Sequence, residues 1–204
     1  GHSFLVGVDG SEYADITIEN ILKLTTRKDF VKVFHSWAVD KQDSLPAHLK
    51  YEAVKIKYET AMQTRLEDPS RYDFDLIPRE GAATAKESLI AYVDTQFNTS
   101  KHMVKSKSNK MVFQSIKTRL PDFFCCGFSG NKNKHLNEEG KPTLMGSTSD
   151  IICSTIHLPT ILNKKRISDT SLSFVVLVGT SDYSKKAFEI VLSLVKPRDK
   201  IYCI

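Results

Sequence analysis

Phe4-Leu5-Val6-Gly7-Val8-Asp9-Gly10-Ser11 sets the architecture of this chain. An apolar run ends on an acid, Gly10 permits a tight turn, and Ser11 can cap the helical pattern that follows at Ala14, Ile18, Ile21 and Leu22. A charged turn, Arg27-Lys28-Asp29, then leads into a second β-type run, Phe30 to Phe34. Strand, helix and strand in this order make a βαβ unit, which is parallel and right-handed in nearly all known cases. The unit recurs. A shift of 173 residues lays Asp182 on Asp9, Ser184 on Ser11, Ala187 on Ala14, Val191 on Ile18 and Val195 on Leu22, and Pro197-Arg198-Asp199-Lys200 leads into Ile201 to Ile204. An isolated βαβ unit cannot cover both faces of its sheet, so residues 173–204 are expected to pair with the first domain or a partner chain, or to open a longer tandem protein. The last of these is favoured.

Alternation continues between the copies. Leu49 to Leu66 reads as a helix, Tyr72 to Pro78 as a third strand, and Thr84 to Gln96 as a helix with Ala85, Leu89, Ile90 and Val93 on its apolar face. A helical pattern returns at Met111 to Leu120. Asp122 to Gly127 reads as a buried fourth strand, a helix opens near Ser147 and runs to Ile156, and Leu158 to Leu162 forms a fifth strand. The expected division is a domain over residues 1–165, a polar linker over 166–172 and a partial second repeat over 173–204.

The chain has 204 residues, of which 41% are hydrophobic and 26% charged. This is globular composition, unlike that of disordered, collagenous or coiled-coil chains. No apolar run reaches the ~18 residues that span a bilayer, and Gly1-His2-Ser3 reads as a cloning remnant rather than a secretory leader. Four cysteines at 125, 126, 153 and 203 have neither metal-ligand spacing nor the density of a disulfide framework, which fits a reducing, cytoplasmic setting. The net charge of +5 is concentrated between Thr95 and Pro121, where Lys101, Lys105, Lys107, Lys110, Lys117 and Arg119 occur without an acid. With only Phe97 and Phe113 interleaved, this reads as a solvated insertion rather than a nucleic-acid surface.

Ligands of open parallel sheets bind beyond the carboxyl ends of the strands. Three features fall there. Asp9 can accept hydrogen bonds from ribose hydroxyls or hold magnesium, or it can serve as an acid beside the following helix. Gly127-Phe-Ser-Gly130 can bring bare amides to an anion, or supply a turn. Gly146-Ser147-Thr148 opens a helix whose unpaired N–H groups favour phosphate, or Ser147 is an ordinary cap. His35 and His157 read as packed structural residues, and Trp37 and Tyr13 as hydrophobic cover or base-stacking groups. Ser11, Ser129 and Ser147 lack a His/Asp pair at useful spacing, which disfavours a serine nucleophile.

Taken together, Phe4 to Ser11, Val33-Phe34-His35-Ser36, Asp122 to Gly130 and Gly146 to Leu162 resemble the universal stress proteins. The resemblance implies an α/β fold with an open parallel five-stranded sheet, order 3-2-1-4-5, helices on both faces and often a dimer through the last strand. It also implies binding of ATP, ADP or AMP. By that resemblance Asp9 meets the ribose, Gly7 and Val8 line the adenine side, and Ser36 contacts adenine through its main chain. Gly127 and Gly130 approach ribose and phosphate, while Gly146, Ser147 and Thr148 bind the phosphate chain. One departure stands out: the family pattern has nine residues between the second glycine and the Gly-Ser, and residues 131–145 make fifteen here. Such lengthening costs little entropy, on the order of 0.6 kcal/mol per doubling. The added Lys132, Lys134, His135 and Lys141 can face a triphosphate, although Glu138 and Glu139 argue for a solvated loop.

The leading expectation is therefore an adenine-nucleotide-binding regulatory module that switches a homodimer, tandem-domain or partner surface. A slow magnesium-dependent ATP hydrolase is the second reading, with Asp9 holding the metal. A dimerisation or interaction module that binds no nucleotide is the third, and the lengthened spacing is its support.

Overall fold

The computed structural model describes residues 1–79, 84–93, 95, 121–130, 144–156, 158–167 and 171–204. The lysine-rich stretch 96–120, the helical pattern expected at Met111 to Leu120, the lengthened segment 131–143 and His157 lie outside the described residues.

β1 (Ser3–Val8) is buried along almost its whole length, which explains why both phases of its side-chain alternation are apolar. On one side it pairs in parallel with β2 (Phe30–Ala38), placing Val6 opposite Val33 and Val8 opposite His35. On the other it pairs with β4 (Phe123–Gly127), placing Phe4 opposite Phe123 and Val6 opposite Cys125. β3 (Tyr72–Arg79) lies outside β2 and β5 (Thr160–Asn163) outside β4, so the parallel sheet has the order β3-β2-β1-β4-β5 that was expected.

Helix α1 (Glu12–Leu24) begins at Ser11, whose Oγ accepts from the Ala14 N–H at 3.3 Å. Beside it lies α2 (Tyr51–Leu66), joined to α1 where the Tyr58 hydroxyl donates to Asp15 at 2.8 Å and Lys57 pairs with the same carboxylate at 2.6 Å. Because strand side chains alternate, Leu5, Phe34, Phe124 and Cys126 face the opposite layer. There they meet Leu89 and Val93 of α3 (residues 85–93) and Ile152 of α4 (Ser147–Thr155).

Two strand boundaries differ from the sequence pattern. β2 continues past Phe34 through His35, Ser36, Trp37 and Ala38, because Leu76 to Arg79 of β3 remain in register beside it. β5 begins at Thr160 rather than Leu158, since Pro159 has no N–H for the ladder; its carbonyl instead accepts from the Phe124 N–H at 3.0 Å. The opening residues are tied into the sheet. The His2 N–H donates to Asp29 at 2.6 Å, the Ser3 N–H donates to Asp122 at 2.7 Å, and Ser3 is buried.

Packing divides the chain after Arg166 into a unit of residues 1–166 and a unit of residues 167–204. The second unit consists of β6 (Ser173–Val176), α5 (Asp182–Leu194) and β7 (Lys200–Cys203), with β6 and β7 parallel. It does repeat the β1-α1-β2 geometry, but at an offset of 170 residues rather than 173. Ser181, not Ser184, caps α5, accepting from the Ser184 N–H at 3.3 Å as Ser11 accepts from Ala14. Asp199 accepts from the Leu172 N–H at 2.7 Å as Asp29 accepts from His2. The Lys200 N–H donates to the Leu172 carbonyl at 2.8 Å, matching Phe30 on His2. The capping serine and the turn-closing aspartate therefore set the register, and the likeness of Asp182 to Asp9 was misleading. Gly179 stands where the first unit has Asp9, Leu177 where it has Gly7, and Asp182 matches Glu12 in the first helical turn. The turn after β6 thus lacks a counterpart of the Asp9 carboxylate.

Candidate functional site

The chain crosses from β3 back to β4 on the far side of β1, so the loops after β1 and β4 leave in opposite directions and open a crevice at their carboxyl ends. A cleft of about 600 Å³ lies there. Gly7, Val8, Asp9, Ser36, Gly127, Gly130, Gly146, Ser147 and Thr148 all line it, so the nine positions to which the resemblance assigns nucleotide contacts are brought to one place.

Its walls differ in chemistry from side to side. On the β2 flank, Phe34, Ala85 and Leu89 form an apolar wall. Ser36 shares this wall; its Oγ is buried with no hydrogen-bond partner among the described residues. In the middle stands Asp9, whose Oδ1 accepts from the Ser11 N–H at 3.0 Å and whose other oxygen leans over the glycine loop. Gly10 makes this turn at φ +80°, a conformation in which a side chain is strained. The β4 flank is rich in backbone. The Gly146 N–H donates to the Phe128 carbonyl at 2.9 Å, tying the start of α4 to the glycine loop. The Ser149 hydroxyl donates to the Gly127 carbonyl at 2.8 Å, strengthening that link. Gly146 caps α4 without a side chain, leaving the first-turn amides without the side-chain acceptor that Ser11 gives α1.

The two loop glycines have different reasons to be glycine. A β-carbon on Gly127 would stand 2.7 Å from Cβ and 2.9 Å from the backbone carbonyl of Tyr13, so this position is required by the approach of α1 to β4. A β-carbon on Gly130 would stand 2.7 Å from Oδ2 of Asp9 and would intrude on the cleft itself.

Other candidates lie elsewhere. Nδ1 of His35 donates to the Val8 carbonyl at 2.8 Å and the residue is buried. Burial lowers its pKa, outweighing the hydrogen bond to Val8 and the nearby Asp9 carboxylate, so the ring is neutral and structural. Trp37 stacks on Tyr51 at 4.3 Å, and Tyr13 packs against Phe128 and Gly127. Neither lines the cleft.

Residues that the sequence reading passed over include Ala85 and Leu89, Ser149 and Asp150. The i, i+4 spacing of Ala85 and Leu89 was the available signal for the first pair. Only the placement of α4 reveals the second. Among the described residues, no group of three or more His, Cys, Asp or Glu side chains comes together to hold a metal ion. No helix among them is long and apolar enough to cross a membrane.

No protein-family model and no curated protein sequence matches the chain. Solved structures do. Hypothetical protein MJ0577, whose structure was used to assign its biochemical function, aligns at 18% identity with a TM-score of 0.52, over 81% of this chain and 97% of that one. A universal stress protein in complex with cAMP aligns at 12% identity with a TM-score of 0.46, over 79% and 95%. The likeness is one of fold: the chain has the α/β fold of the universal stress proteins.

Proposed function

We propose that the cleft binds an adenine nucleotide, ATP, ADP or AMP, and that the chain acts as a regulatory module whose occupancy biases a dimer or partner surface. One observation carries this reading: apolar wall, carboxylate and a glycine-rich helix start converge in that order across β2, β1 and β4. Two strand spacings, about 10 Å, separate the flanks, a span suited to a base on one side and a phosphate on the other. The flat base packs against Phe34, Ala85 and Leu89, with the Ser36 hydroxyl as a polar contact. Ribose hydroxyls donate to Asp9, and phosphate takes the amides of the glycine loop and of Ser147 and Thr148. Magnesium fits this site as a companion of the phosphates, with Asp9 as a single protein ligand.

Binding is preferred over hydrolysis because the histidine near the site, His35 of β2, is buried against the Val8 carbonyl and does not line the cleft. The break in packing after Arg166 supports taking residues 1–165 as the binding domain, 166–172 as a linker and 173–204 as a partial repeat.

Isothermal titration with AMP, and with ATP plus magnesium, should give saturable one-site binding that Asp9→Ala and Gly130→Val each weaken at least tenfold. Unchanged affinity in both folded variants would refute the site.

A further inference from the structure

The charged side chains among the described residues lining the cleft are Asp9 and Asp150, and both are acids. They bracket the amide donors. Asp9 leans toward Gly130, where its Oδ2 stands 2.7 Å from the position a β-carbon would take. Asp150 lies in the first turn of α4, its N–H closing the first helical hydrogen bond onto the Gly146 carbonyl at 2.9 Å. Its side chain is exposed and lines the same cleft as Ser147 and Thr148, which open that helix. A helix start offers about half a unit of positive charge, enough to favour one phosphate group. Additional phosphate charge at the same end of the cleft meets two carboxylates.

We infer that Asp150, together with Asp9, makes the cleft rank adenine nucleotides against phosphate charge, holding the monophosphate more tightly than the triphosphate when no divalent cation is present. This rests on the adenine-nucleotide reading of the cleft. Asp150 is then a specificity-determining residue: it does not hold the base or ribose, but limits how much anion the amide flank accepts. A divalent cation carried on the polyphosphate cancels the excess charge and narrows the ranking.

The test is titration of the full chain with adenosine, AMP, ADP and ATP at low ionic strength, first with chelator and then with magnesium. In chelator the affinity should fall from AMP to ATP, by about tenfold overall, and magnesium should recover most of the loss for ATP. Asp150→Asn should raise the ratio of ATP to adenosine affinity about tenfold, and Asp150→Lys further still, both effects shrinking in high salt. ATP binding more tightly than AMP in chelator, or an ATP to adenosine ratio that neither folded variant moves, would overturn the inference while leaving the nucleotide reading intact. Failure of adenosine and all three nucleotides to bind would instead overturn that reading, and this inference with it.

Discussion

Replacing Gly130 with alanine tests the central contact of the cleft. The new methyl carbon would stand 2.7 Å from Oδ2 of Asp9, well inside van der Waals contact. Gly130 is not among the positive-φ residues, so the backbone itself accepts alanine and the clash supplies the penalty. Relief requires Asp9 to turn away, which breaks the 3.0 Å hydrogen bond from the Ser11 N–H to its Oδ1. A hydrogen bond to a charged group contributes about 1.5–3 kcal/mol, while reduced freedom of the unfolded chain returns about 0.4–1 kcal/mol. The net loss should be about 1–2 kcal/mol, or a fall of about 2–8 °C in Tm for a chain of this size. In an Asp9→Ala background the obstructing carboxylate is gone, and Gly130→Ala should be neutral or slightly stabilising. Urea and thermal unfolding of the four proteins of this double-mutant cycle give the coupling directly. Equal costs of Gly130→Ala in the two backgrounds would show that Asp9 and Gly130 do not share this space.

Gly127→Ala should be costlier, about 3 kcal/mol or more, because the obstructing atoms belong to the backbone of α1 rather than to a movable side chain; unchanged unfolding curves would refute the packing. Asp29 is buried, which by itself raises its pKa. Hydrogen bonds from Thr26 and the His2 N–H outweigh that and hold its carboxyl below the usual value. Its stabilising contribution should therefore be complete above about pH 4 and vanish as pH falls through the depressed folded-state value, with Asp29→Asn flattening that part of a pH–stability curve. The lowered pKa of His35 acts in the same direction at higher pH. Its contribution is complete above about pH 6.5 and is lost as protonation of the unfolded chain takes over below it, so His35→Gln should reduce the slope of stability between pH 6.5 and 5. Thiol titration at pH 8 should label Cys153 and Cys203 quickly and Cys125 and Cys126 only on unfolding, since the last two are buried and burial pushes the Cys126 thiol up to about 12; rapid labelling of all four would contradict the core.

The sequence by itself was enough for the succession β1 to β5 and, through the family resemblance, for Asp9, Ser36 and the glycine positions that line the cleft. Apolar runs ending in Asp9 and Gly127, a serine cap at Ser11 and a glycine-opened helix at Gly146 are local signals, carried by periodicity, capping and turn chemistry over a few residues each. The approach of Tyr13 to Gly127, the lean of Asp9 over Gly130, the buried hydroxyl of Ser36 and the acidic flank at Asp150 became legible only in three dimensions. Each depends on residues far apart in the chain being brought within a few ångströms. The repeat shows the same division. Matching acids along the sequence suggested an offset of 173 residues, but hydrogen bonds by Ser181 and Asp199 place it at 170 and leave Gly179 where Asp9 would be. A capped helix end and a closed turn have geometric requirements that pin a register, whereas an isolated carboxylate on a loop has none until the strands around it have been laid side by side.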